Sequence, residues 1–199
     1  AAYSFYSQDY YGDAISELKR YIRNYPASEN LSYAYFLIAT CYYETIVDEK
    51  KDLSPLLNSK KYFEIIIKEY PNTDFALDAK FKLNLIENIL ASKEVYIGNY
   101  YISKKKWIPA LNRFKNVLSL YDGTEYVEEA VHRLVEINYI LGLEDEAKKY
   151  AVLLGYNYQS SEWYKESYRV FNKKYLDPKE KIKKDKKNII IRKFKDLFK

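Results

Sequence analysis

The sequence predicts an all-α solenoid, antiparallel helix pairs stacked in a right-handed array, and three observations carry that prediction. A small residue followed by apolar residues at four and seven positions, and by a helix-ending residue at twelve, recurs four times. The copies are Ala14, Leu18, Tyr21, Pro26; Ser59, Phe63, Ile66, Pro71; Ala110, Phe114, Val117, Asp122; and Ala147, Ala151, Leu154, Gln159. Offsets of four and seven place the three on one helical face, where the small residue lets a neighbouring helix approach and the larger ones fill the groove beside it. The copies lie 45, 51 and 37 residues apart, the spacing of a helical-hairpin repeat with insertions in its middle units. The second observation is that five glycines and five prolines in 199 residues leave little room for a β-rich body. The third is a proline-free helical stripe from Asn72 to Lys104, with Ala79, Leu83, Ile86, Leu90, Ile97 and Tyr101 on it.

Taken in order, AAYSFYSQ reads as the end of a first helix whose beginning lies upstream, because the next helix already opens at Tyr11. That helix stops before Pro26, which cannot continue the hydrogen-bond ladder. Ser28 sits in the short connection, and Leu31 to about Val47 forms the next helix. Asp48 to Asn58 interrupts the pattern as an inserted loop, with Ser54-Pro55 as a cap and first-turn proline for the helix ending at Tyr70. The stripe from Asn72 to Lys104 would reach about 45 Å at 1.5 Å per residue and would brace the units on either side. Gly98 within it permits either a bend or a close approach. Trp107 and Pro109 begin the following helix, Asp122-Gly123-Thr124 turns the chain, and Glu125 to Leu141 runs back to Gly142, which suits a left-handed helix end. Glu144 to Tyr156 and Glu162 to Tyr175 complete a body of residues 1–176. Asp177-Pro178 introduces a tail, 177–199.

Composition excludes more chemistry than it suggests. Apolar residues at 48% and charged residues at 31% fit amphipathic helices, and no apolar run approaches the roughly 20 residues of a spanning helix. His132 is the only histidine, which rules out metal sites built on several imidazoles, and a Cys41–His132 nucleophile pair lacks any identifiable third group. Cys41 is the sole cysteine and reads as a small core residue. No glycine pattern resembles a phosphate loop or dinucleotide fingerprint. Glu128-Glu129 and Glu144 to Glu146 lie at helix starts, where carboxylates complement the helix dipole. The reading is of a protein without catalysis, metal or cofactor.

Binding is another matter. Tyrosine, present 24 times, joins apolar area to a polar tip and favours recognition surfaces, though rings packed between helices account for many. Tyr33, Tyr35 and Tyr42 lie on a first helix of a pair, the kind that lines the inner side of a repeat array, and form a candidate peptide groove. The net charge of +5 conceals an asymmetry. Residues 179–199 hold ten Lys or Arg against three acids, net +7, and the remainder is net −2. Ile190, Phe194, Leu197 and Phe198 share a helical face in that tail, which fits an anionic membrane surface, a partner, or a solvated extension. The body adds no basic reading surface, so nucleic acid is not an expected partner.

The small-large-large-proline pattern resembles the second helix of the tetratricopeptide repeat, with Ala39 and Tyr42 at first-helix positions. At NYYISKKKWIPALNRFKNVLSLYDGT, residues 99–124, the sequence is similar to the BamD family of outer-membrane assembly lipoproteins. Tyr100-Tyr101, Trp107, Asn112-Arg113 and Tyr121-Asp122-Gly123-Thr124 carry the likeness. YIRNYP, KEYPNTDFALDAKFKL and YQSSEWY extend it over about residues 1–176. Asp122 and Gln159 stand where the family has prolines. The resemblance implies repeats two to five of a five-repeat protein at the periplasmic face of the outer membrane, anchored by lipid on an N-terminal cysteine that this chain lacks. It implies a scaffold that receives unfolded outer-membrane β-barrel proteins through its N-terminal half. The C-terminal half would dock on the periplasmic domains of BamA through Arg113, Asn112, Tyr100 and Tyr101, alongside other assembly-machinery lipoproteins. Arg113, about 100° round the helix from Phe114, emerges at the edge of the packed face. There it meets either BamA or an acid of its own chain. The competing readings are an unrelated peptide-binding repeat adaptor and, from another class, a basic-tailed nucleic-acid-binding protein.

Overall fold

The computed structural model describes residues 1–45 and 52–171, and these residues are helical throughout, with no strand among them. The helices are α1 (Ala2–Tyr6), α2 (Tyr11–Asn24), α3 (Leu31–Glu44), α4 (Ser54–Glu69), α5 (Asp74–Ser103), α6 (Trp107–Leu120), α7 (Val127–Ile140), α8 (Glu144–Asn157) and α9 (Glu162–Phe171). Each packs on the next in chain order, α5 also touches α3, and α9 rests mainly on α7. That is the contact pattern of a tetratricopeptide-like solenoid, in which a repeat meets only its neighbours.

The recurrent small position is sealed between helices. Ala14, Ser59, Ala110 and Ala147 are all fully buried. Ser59 is tolerated there because its hydroxyl donates to the Ala39 carbonyl at 2.8 Å, so no buried polar group is left unpaired. Phe63, Ile66, Phe114, Val117 and Leu154, the larger members of the pattern, are likewise sealed.

Three cores result. Ala14, Leu18, Ala34, Leu37, Ile38 and Cys41 join α2 to α3. Phe63, Ile66 and Leu56 meet Ala76, Ala79, Ile86 and Leu90 of α5. Ala91 and Val95, further along α5, enter the third core with Phe114, Leu134 and Ile137.

The pattern's helices end identically whether or not proline follows. α2, α4, α6 and α8 stop two residues before Pro26, Pro71, Asp122 and Gln159, each on a tyrosine with extended φ: Tyr25 (−131°), Tyr70 (−131°), Tyr121 (−141°) and Tyr158 (−138°). Three residues on, a Ser or Thr amide returns a hydrogen bond to that tyrosine's carbonyl, from Ser28, Thr73, Thr124 and Ser161. The hydroxyls of Thr73 and Thr124 add a second bond to the same carbonyls, at 2.9 and 2.8 Å. The sequence signal is therefore Tyr-x-x-Ser/Thr, and proline is an accessory to it.

Several boundaries differ from the sequence reading. α3 ends at Glu44, and Val47 lies outside the described residues. Residues 54–58 are helical, not loop: α4 begins at Ser54, with Leu53 at its cap position and Pro55 in its first turn. Ser54 itself does not cap. Its amide donates to Asp52 Oδ1 at 2.8 Å, so the capping acceptor stands two residues earlier. Glu125 and Tyr126 precede α7, which starts at Val127. Gly142 adopts φ +76°, the left-handed conformation its place suggests. The long helix spans 30 residues from Asp74 and is capped by Thr73, whose hydroxyl accepts from the Ala76 amide at 3.3 Å. Gly98 serves close packing: a Cβ built there would lie 2.6 Å from Phe114 Cζ. The boundary at residue 176 and the tail residues Ile190, Phe194, Leu197 and Phe198 lie outside the described residues.

Candidate partner-binding surfaces

The end of α5 and the start of α6 form the first surface. Ala110, Phe114 and Val117 are turned into the third core, which forces Asn112 and Arg113 to the rim between α6 and α5. Tyr101, Ile108, Pro109, Asn112, Arg113 and Asn116 enclose a pocket of about 330 Å³ there. Arg113 is fixed from behind. Its Nη1 donates to Glu94 Oε1 at 3.1 Å and to Oε2 at 3.4 Å, and Asn116 Nδ2 holds the same carboxylate at 3.0 Å. The Glu94 side chain is 15% exposed and that of Arg113 is 37% exposed, so the acid is a half-buried anchor and the guanidinium the more exposed partner. Only Nη1 is engaged by that carboxylate in these bonds, and a guanidinium carries further donors in a planar fork. Tyr101 is half-buried and packs on the third core, whereas Tyr100 is exposed and outside the pocket lining, its ring centroid 5.9 Å from that of Tyr101.

The three tyrosines of α3 divide between two sides. Tyr35 and Tyr42, seven residues apart, both meet Tyr62 of α4, with centroids at 6.2 and 5.9 Å, the second pair stacked at 18°. Tyr33, turned about 160° from Tyr35 round the helix, meets Phe75 of α5 at 5.5 Å. Tyr42 also lines a pocket of about 460 Å³ with Gly12, Ile15, Lys19, Thr45 and Asp52. Lys19 spans its wall. The ammonium donates to the Tyr42 hydroxyl at 3.0 Å and lies 5.5 and 5.9 Å from the Tyr42 and Tyr62 ring centres. That hydrogen bond raises the lysine's pKa, keeping the charge in place. Lys19 is a binding candidate that sequence reasoning missed, because nothing in the α2 pattern shows that a residue 23 positions later will stack above it.

The remaining chemistry is structural. His132 is buried on α7, where its Nδ1 shares a 2.8 Å hydrogen bond with Ser167 Oγ of α9, and its ring lies 5.2 Å from Trp163. Glu136 receives Arg133 Nη1 at 2.7 Å and His132 Nε2 at 3.5 Å. Burial alone would raise the Glu136 pKa, but hydrogen bonds from His132 and Arg133 outweigh it and hold the carboxyl down at about 2. Cys41 belongs to the first core, away from His132, and burial pushes its thiol up to about 11. Among the described residues no cluster of three or more His, Cys, Asp or Glu could hold a metal ion. Between α8 and α9 an apolar groove of about 480 Å³ runs past Val152, Gly155, Tyr164 and Phe171.

A stacked helical-repeat scaffold, with aromatic and charged contact surfaces and no reactive centre among its described residues, is the class these features define. Residues 1–153 match the family model YfiO, outer membrane lipoprotein, and the chain belongs to that family. It is 43% identical over 169 residues to the outer membrane protein assembly factor BamD of Rickettsia prowazekii, covering 85% of this chain and 67% of that protein. The assembly factor of the same name from Caulobacter vibrioides is 36% identical over 176 residues, covering 88% of this chain and 58% of the relative. That of Xylella fastidiosa (strain 9a5c) is 29% identical over 174 residues, covering 82% and 60%. No described helix is long and apolar enough to cross a membrane.

Proposed function

We propose that this chain is a non-catalytic scaffold of the β-barrel assembly machinery at the periplasmic face of the outer membrane. Its α5–α6 rim docks on the periplasmic domains of BamA, and its N-terminal helices receive unfolded outer-membrane proteins. In the whole protein, a lipid on a cysteine upstream of Ala1 supplies the anchor, and other lipoproteins of the machinery share the scaffold. The names of the relatives support the setting. The observation that carries the docking half is the pocket where Tyr101, Asn112 and Arg113 converge, with the guanidinium already oriented by Glu94 and Asn116. An arginine whose geometry is set before contact loses less side-chain freedom on binding than one that must be ordered. The receiving half rests on Tyr42 and Tyr35 around Tyr62, with Tyr33 on the neighbouring side and Lys19 in the adjoining pocket.

The test is affinity for the BamA periplasmic region, measured by calorimetry on Arg113→Ala and Arg113→Lys. Truncating a desolvated charged contact costs on the order of 2–5 kcal/mol of binding. Arg113→Lys keeps a cation beside Glu94 but removes the planar fork, so it should weaken binding while holding the thermal midpoint. Unchanged affinity in both well-folded variants would remove the α5–α6 rim from the interface.

A further inference from the structure

The turn between α5 and α6 departs from the local rules that its sister turns obey. In three connections the chain reverses through the same device. The amides of Tyr10, Lys106 and Leu143 reach back five residues to the carbonyls of Phe5, Tyr101 and Asn138. The residue before each donor is left-handed: Asp9 at φ 62°, Lys105 at 55° and Gly142 at 76°. Glycine takes that conformation without steric cost, and aspartate, with its short polar side chain, visits it more readily than most residues, but a long side chain such as lysine does not. The donor position is apolar or aromatic in the sister turns, at Leu143 and Tyr10, whereas here it is Lys106. α8 follows its turn with Glu144, Asp145 and Glu146 in the first turn, and α2 with Asp13, but α6 has no acid there.

Residues that break several local preferences together mark function more often than architecture. Lys104, Lys105 and Lys106 are all exposed, and no salt bridge among the described residues engages them. Tyr96, Tyr100 and Lys104 form a single row along α5, the rings 63% and 53% exposed and the Lys104 ammonium 5.8 Å from the Tyr100 ring centre. Ile108, 58% exposed and two residues past Lys106, lines the Arg113 pocket.

We infer that the Lys104–Lys106 turn, with Tyr96 and Tyr100, extends the Arg113 pocket into one docking surface for an acidic strip on the same protein partner. The inference rests on the docking reading above. Two observations choose a protein over a lipid surface. The turn leads directly into the pocket, since the lining residue Ile108 lies two positions past Lys106, and the Lys106 backbone amide donates to the carbonyl of Tyr101, another lining residue. A segment that reaches from Arg113 along this turn meets three exposed lysines, and a carboxylate-bearing protein segment complements both the lysines and the guanidinium. Such rim contacts act mainly on association rate and salt dependence.

The test compares wild type with a Lys104→Ala, Lys105→Gly, Lys106→Ala triple variant, using the BamA periplasmic region as the probe. The triple variant should bind about tenfold more weakly at low salt, with a shallower salt dependence. Lys105→Gly alone should keep or raise the thermal midpoint, because glycine relieves the left-handed backbone. A lower midpoint for Lys105→Gly would show that the lysine is architectural and overturn the inference. Equal affinity and salt dependence in the triple variant, with Arg113→Lys still weakened, would overturn it too while leaving the docking reading intact. Failure of the wild type to bind would overturn both. Retained affinity for the BamA region, with loss of binding to phosphatidylglycerol–phosphatidylethanolamine vesicles, would assign the turn to a membrane and refute the inference.

Discussion

Gly98→Ala should lower the stability of this protein even though alanine is the better helix former. Inside a helix such as α5, five residues before its last, removing a glycine gains about 0.5–1 kcal/mol of helix propensity. Against that stands the ring of Phe114. The new methyl carbon would sit 2.6 Å from Cζ and 2.9 Å from both Cε atoms, where ordinary contact begins at 3.4 Å. The ring must retreat by nearly 1 Å, and Phe114 is fully buried among Val95, Ala110, Val117 and Leu134. Overpacking of this kind costs about 1–3 kcal/mol. The net loss is then between about 0 and 2.5 kcal/mol, centred on ~1 kcal/mol, and a loss of that central size lowers the thermal midpoint of a chain of this length by about 2–4 °C. Urea unfolding followed by circular dichroism should show a lower midpoint with an unchanged slope. Adding Phe114→Leu to Gly98→Ala should cost less than the two single changes summed, since the shorter side chain vacates the contested space. A midpoint equal to or above wild type for Gly98→Ala would refute the argument, and with it the claim that α5 and α6 touch at this point.

Further expectations concern the buried polar groups. Ser167→Ala strands His132 Nδ1 without its 2.8 Å partner, which should cost about 1–3 kcal/mol and speed amide exchange across α9; unaltered protection of α9 would contradict that role. The Glu136 carboxyl is held at about 2 against an ordinary value of 4.5, so its contribution is fully present above pH 4.5 and is lost as pH falls toward 2. Glu136→Gln should therefore be less stable than wild type near neutrality, with the gap narrowing through that window. A gap independent of pH would discount the carboxylate. Cys41, buried with its thiol near 11, should resist iodoacetamide at pH 8 until urea unfolds the first core, and alkylation of the native protein at the unfolded rate would show that core to be open.

What could be read ahead of the structure was whatever lives within one helix. The faces at Ala14, Ser59, Ala110 and Ala147, the uninterrupted α5 and the left-handed Gly142 all follow from spacing along a single segment. Helix starts were less legible: Ser54 looked like a cap, but Asp52, two residues earlier, accepts the bond. The Tyr-x-x-Ser/Thr stops were present in plain sight, obscured by the two prolines that accompany half of them. Pairings across helices were not legible at all. Arg113 finds Glu94 19 residues back, and Lys19 finds Tyr42 23 residues ahead, because the crossing of two helices sets which residues meet. The same limit separates Tyr33 from Tyr35 and Tyr42, whose neighbours Phe75 and Tyr62 belong to different helices.

Repeat arrays ordinarily yield one unit at a time, since each module leans only on those beside it and the ends can peel away. α5 opposes that for the two modules it joins. Ala76, Ala79, Ile86 and Leu90 belong to the middle core and Ala91 and Val95 to the next, so one rod of about 45 Å is shared by two modules. Tension applied at the Arg113 rim passes through Glu94 into that rod and is carried to the middle core without crossing a turn. The Arg113 rim is thereby mechanically coupled to the middle core, and the rod must break before the two can move apart.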